Sequence, residues 1–174
     1  MFSREPLGEI FYKIVCRQEG ETGVKIHELT CPQCGNTQEV EVRDSLNVTA
    51  ESYLRDRLFN ADINIFKCES CNHKAIINVP LLYLDMNRQY CVQYYPTEAI
   101  EDDNFLAQFT PDGKWSFRDI PEIVNNDLNY MGDPHIVFSL FDMIQYVKFR
   151  DRLYEKAEAG NNQKQHPKKA IPRH

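Results

Sequence analysis

Four cysteines in two matched pairs constrain this chain more than any other feature. The first pair lies in Cys31-Pro32-Gln33-Cys34-Gly35, the second in Cys68-Glu69-Ser70-Cys71-Asn72. Two residues between cysteines let one tight turn aim both thiolates, and nearby backbone N–H groups, at a single point. Two such turns supply the four soft ligands of a tetrahedral Zn²⁺ site. Four thiolates also leave no open coordination position for water or substrate, which marks a structural site rather than a catalytic one. Cys31, Cys34, Cys68 and Cys71 are therefore the expected metal ligands. Zinc is the expected cofactor, and iron in the same cage stays open.

Between Cys34 and Cys68 lie 33 residues, more than the usual ribbon spacing, so a folded element must stand between the turns. The residues say which. Thr37 to Arg43 alternates, with Val40 and Val42 opposite Glu39, Glu41 and Arg43, as a half-exposed antiparallel strand does. Thr49 is a good N-cap, Glu51 suits the helix dipole, and Ala50, Leu54 and Leu58 recur at four-residue spacing, predicting a helix over about 49–59. Ile63, Ile65 and Phe66 then carry a strand into Cys68. Strands are also expected at 10–16, 24–30, 74–79 and 88–95, and a hairpin over 105–118 around Pro111-Asp112-Gly113.

Pro121 opens a short helix in this reading, and Ser139 caps a longer one over 139–157. Leu140, Met143, Ile144, Val147 and Tyr154 share one face of that helix. Tyr146, Phe149 and Leu153 form a second stripe, so packing on two sides is expected. The fold class is α+β: a zinc-ribbon-like antiparallel sheet with a short inserted helix and a longer C-terminal helix. The domain plan is an N-terminal segment 1–26 adding one strand, a metal-binding domain 27–157, and a disordered basic tail 158–174.

Charge narrows the partners. Residues 96–135 carry 2 basic and 9 acidic groups, and residues 27–95 carry 6 basic and 9 acidic; residues 158–174, with 4 basic and 1 acidic, are positive. Phosphate contacts supply most nucleic-acid affinity, so an acidic ribbon speaks against such a partner and for a protein. No apolar run reaches the roughly 18 residues of a membrane span, and the first residues lack a signal-peptide core. The expected compartment is the cytoplasm, where paired cysteines are more often metal ligands than disulfides.

Several segments together resemble the CpXC family, named for a cysteine-proline-x-cysteine motif. They are Thr30-Cys31-Pro32-Gln33-Cys34-Gly35, Ser45-Leu46-Asn47-Val48-Thr49, Phe66-Lys67-Cys68-Glu69-Ser70-Cys71, Pro80-Leu81-Leu82-Tyr83-Leu84-Asp85 and Phe138-Ser139-Leu140-Phe141-Asp142. The resemblance spans roughly 29–156 and implies a metal-binding domain without an assigned activity. Glu69 stands where the family name leads one to expect proline, which affects turn stiffness rather than ligation.

The remaining candidates carry weaker signals. His73 and His27 flank the knuckles but four thiols already complete a site. Cys16 and Cys91 read as small buried hydrophobes. Glu98, Glu101, Asp102 and Asp103 lack the ligand spacing of a calcium loop and read as a solvated run. The stripe of Tyr146, Phe149 and Leu153 is expected to be buried within the domain. Seven glycines, at 8, 20, 23, 35, 113, 132 and 160, allow no phosphate loop, and neither a nucleophile elbow nor H-E-x-x-H is present. The expected function is a non-enzymatic zinc-binding module that binds a protein. Alternatives are an iron or dithiol redox protein, or a nucleic-acid accessory protein using the basic tail.

Overall fold

A computed structural model describes residues 23–116 and 130–165, with side chains as far as Gly160. Two hairpins carry the cysteines. β1 (Val24–Thr30) pairs antiparallel with β2 (Thr37–Arg43), and β4 (Ile65–Lys67) pairs antiparallel with β5 (Lys74–Ile76). The rest of the fold is a four-stranded sheet in the order β3-β6-β7-β8, from Ser45–Asn47, Leu81–Asp85, Tyr90–Tyr94 and His135–Val137. A single residue, Asp44, separates β2 from β3, so the first hairpin feeds directly into the edge of this sheet.

The α+β architecture expected from the sequence is the one formed, with α1 (Tyr53–Phe59) short and α3 (Leu140–Gln165) long. Antiparallel pairing holds in both hairpins and between β6 and β7, whereas the outer strands β3 and β8 run parallel to their neighbours. Parallel neighbours need long crossovers. Here α1 and the second hairpin make the first crossover, from β3 to β6.

Every residue of β6 and β7 is buried. On one face Tyr83, Tyr90, Val92 and Tyr94 pack with Leu54 and Leu58 of α1 and Met143, Ile144 and Val147 of α3. Successive strand residues point to opposite faces. Leu82, Leu84 and Cys91 accordingly meet Tyr130 and Met131 on the other side. A 3₁₀ turn (Thr97–Glu101) and α2 (Asp103–Leu106) place Ala99 and Phe105 beside Tyr95, Phe109 and Trp115.

Some local expectations shift. Helix α1 begins four residues after Thr49, because that threonine has another use. Its hydroxyl accepts from the N–H groups of Met86 (2.8 Å) and Asn87 (3.4 Å), tying the turn after β3 to the one after β6. Asn47 Oδ1 supports the same turn by accepting from Thr49 N and Ala50 N. Of the hairpin expected over 105–118, the described residues to 116 form one bridge, Phe109 to Trp115, preceded by α2.

Helix α3 starts as expected: Ser139 Oγ accepts from Asp142 N at 3.0 Å. It then runs through Gly160 to Gln165, where an irregular tail was expected from 158. The expected strand at 10–16, the helix after Pro121 and the tail beyond 165 lie outside the described residues. No helix among the described residues is long and apolar enough to cross a membrane.

Candidate metal centre

The two cysteine turns share one backbone solution. In the first, Cys31 N donates to Asn36 O (2.8 Å) and Gly35 N donates to Cys31 O (2.9 Å). In the second, Cys68 N donates to His73 O (2.8 Å) and Asn72 N donates to Cys68 O (2.9 Å). The residue after the second cysteine must adopt a left-handed backbone to close the turn. Gly35 does so at φ 74° and Asn72 at φ 58°, and these are the two residue types that tolerate it best.

Each turn sits at the tip of its hairpin, and the tips face one another. The four Sγ atoms lie within 4.8 Å of each other. Across the turns, Cys31 and Cys71 Sγ are 3.7 Å apart and Cys34 and Cys68 Sγ 3.5 Å apart. A tetrahedron with metal–sulfur bonds of about 2.3 Å has edges of about 3.8 Å. The spacing therefore fits a four-thiolate metal ion. Cys31 and Cys68 are buried, Cys71 is half-buried and Cys34 is exposed, so the site sits at the rim of the small core formed with Phe66, Leu29, Val40, Ala75 and Ile77.

Crowding sets the acidities. The N–H groups of Cys71 and Ser70 point at Cys68 Sγ and bring that thiol down to about 7, against the opposing effect of burial. For Cys71 the N–H of His73 favours the thiolate, but burial and the neighbouring thiols Cys34, Cys68 and Cys31 prevail and push it up to about 12. Cys34 is likewise raised: the N–H of Asn36 and the Cys71 thiol favour its thiolate, but Cys68, burial and Cys31 outweigh them. One thiolate forms readily and the next is opposed. A cation between them removes that opposition, which makes this donor set one suited to a metal.

A family model for the CpXC protein matches residues 29–161. The chain belongs to the CpXC family. The match takes in both cysteine turns, the sheet and most of α3. No curated protein and no solved structure matches the chain.

Of the other residues picked out in this CpXC chain, His73 contributes its carbonyl oxygen to the second turn, and neither it nor His27 belongs to the cysteine cluster. Cys91 is buried as expected, its Sγ 3.1 Å from Tyr130 O and its thiol pushed up to about 12 by burial; Cys16 lies outside the described residues. Asp102 caps α2 through Asn104 N, and Asn78 Nδ2 donates to Glu98.

The expectation of a buried aromatic stripe fails for Phe149 and Leu153, and Tyr146 packs half-buried against the core. Phe149 is 54% exposed and Leu153 49%, while Tyr146 stacks on His135. Among the described residues the helix packs on one side only, and beyond Asp151 each of its described side chains to Gly160 is exposed.

One residue at the centre escaped the sequence reading. Gln38 Nε2 donates to Lys67 O at 3.0 Å, and Gln38 Oε1 accepts from Glu69 N at 2.9 Å. Alternation places Gln38 on the face of Val40 and Val42, an inward-facing polar residue in need of a partner, but nothing local reveals which group 29 residues away supplies it.

Proposed function

We propose that Cys31, Cys34, Cys68 and Cys71 hold one structural Zn²⁺ and that this CpXC protein is a non-enzymatic module whose work is binding another protein. The observation that carries the metal reading is the convergence of four thiols at near-tetrahedral spacing. A filled shell of four sulfurs gives the ion no open position, so its contribution is to tie the two hairpins together. The thiols must stay reduced to serve, which suits the cytoplasm.

Two features support a protein partner over nucleic acid. The domain is acidic through its cysteine region, and Phe141, Phe149 and Leu153 are exposed on α3 at 66%, 54% and 49%. Exposed aromatic and leucine side chains are the usual material of a protein interface.

The test is metal analysis of purified protein. About one zinc per chain, lost in Cys34→Ser, is expected; a metal-free protein that is fully folded contradicts the reading. An iron–thiolate absorption in protein made under iron-replete conditions would assign the same cage to electron transfer instead.

A further inference from the structure

The two hairpins that converge on the cysteines form separate sheets, with no ladder between them. Two side-chain amides connect them instead. At the cysteine end, Gln38 of β2 reaches the backbone on both sides of Cys68, donating to Lys67 O (3.0 Å) and accepting from Glu69 N (2.9 Å). Asn36 Nδ2, 3.5 Å from Gln38 Oε1, steadies the amide. At the far end the relation is reversed. Asn64, just before β4, accepts from Arg43 N and donates to Arg43 O, each at 2.8 Å, at the end of β2. Each amide satisfies one donor and one acceptor of the opposite chain, as a strand neighbour would.

We infer that Gln38 is a positioning residue for the metal centre, setting the orientation of the Cys68 turn before any ion arrives. The inference rests on the metal reading proposed above. A side-chain amide has a fixed angle between its oxygen and its N–H bonds, so gripping residues 67 and 69 together fixes both the height and the tilt of the peptide that carries Cys68. Cys34 and Cys68 Sγ are thereby held 3.5 Å apart. Without the grip, the relative orientation of the two turns has to be fixed when the ion binds, and that ordering opposes binding. Residues that orient metal ligands from the second layer typically change affinity by 10–100-fold.

The grip is separable from the fold. Both of its hydrogen bonds are at the solvent-exposed rim, so water replaces the amide at Lys67 O and Glu69 N when the side chain is changed. The main sheet core has no part in it.

The experiment is titration of the full chain with Co²⁺, following the thiolate-to-metal absorption, with Zn²⁺ competition to give affinities. Gln38→Met keeps the length and removes both hydrogen bonds, and is expected to weaken binding 10–100-fold. Gln38→Glu retains the acceptor for Glu69 N but sets a carboxylate against Lys67 O, and should fall between Gln38→Met and the unaltered protein. Thr30→Ala removes an exposed hydroxyl contact to Thr37 within the first hairpin (3.0 Å) and is expected to change affinity less than threefold. Gln38→Met and Gln38→Glu both within threefold of the unaltered protein would overturn the inference and leave the metal reading intact. Absence of the thiolate band in the unaltered protein overturns both.

Discussion

The two halves of this molecule are held together by different means. The four-stranded sheet with α1 and α3 encloses fourteen buried apolar residues in one continuous cluster. The cluster between the paired hairpins has only three buried members, and two of those are the thiols Cys31 and Cys68. Burial contributes about 25 cal/mol per Å² of apolar surface, so the sheet half has ample means to order its own chain. The hairpin half does not. Small units short of a core usually depend on a disulfide or a metal, and here the four cysteines occupy that place. On the proposed metal reading, the comparison teaches that the cysteines make up for a missing core rather than decorate an existing one.

The comparison can be broken at several points, beginning with the largest effect. A structural zinc site contributes on the order of 10 kcal/mol of apparent binding energy linked to folding. Cys68→Ser should therefore abolish ordered hairpins, read as loss of slowly exchanging amides in 24–43 and 65–76, while the sheet strands keep theirs. Met143→Ala does the converse. It empties a fully buried site between α3 and the sheet and should cost about 2–5 kcal/mol in chemical denaturation, with metal stoichiometry unchanged.

A third test probes the charged clamp between the helices and the sheet. Asp151 of α3 pairs with Arg88 and lies 3.6 Å from Arg55 of α1, and both arginines also meet the buried Asp85. Asp151→Asn should cost about 1.5–3 kcal/mol, measured by urea denaturation, because it weakens charge-assisted hydrogen bonds without emptying the core. Again the metal content should not change.

The smallest effect concerns pH. Burial and the neighbouring Arg150 guanidinium hold the His135 imidazole below its ordinary value of 6.5. A folded value lower than the unfolded one means that protonation opposes folding. The contribution of His135 is thus fully present above 6.5 and is lost as pH falls through the depressed value. His135→Gln should flatten the fall in melting temperature between neutral and mildly acid pH, by well under about 1 kcal/mol given solvent screening.

Much of the site was legible in the sequence because its geometry is local. A C-x-x-C step followed by Gly35 or Asn72 specifies a turn within five residues, and two such turns need only meet. Ser139 was legible for the same reason: its bond to Asp142 N spans three residues. What was missed depends on distant partners. Thr49 is a good cap by type, yet Met86 and Asn87 claim its hydroxyl from across the sheet. Periodicity marks a strand's faces but not the direction of its neighbour, so the parallel placing of β3 and β8 left no local trace. The stripe of Phe149 and Leu153 satisfies the pattern of a packed face while no described element covers it. Gln38 breaks the apolar face of Val40 and Val42, a signal the pattern does carry, but its partner is fixed only when the second hairpin is placed beside it.

Amide hydrogen exchange before and after metal removal by a chelator tests the central claim most directly. If the hairpins depend on the ion and the sheet on its apolar core, protection should collapse across Val24–Arg43 and Ile65–Ile76 and persist across Leu81–Asp85 and Tyr90–Tyr94. Hairpin amides that stay protected in metal-free protein would contradict the account, as would simultaneous loss of protection in both halves.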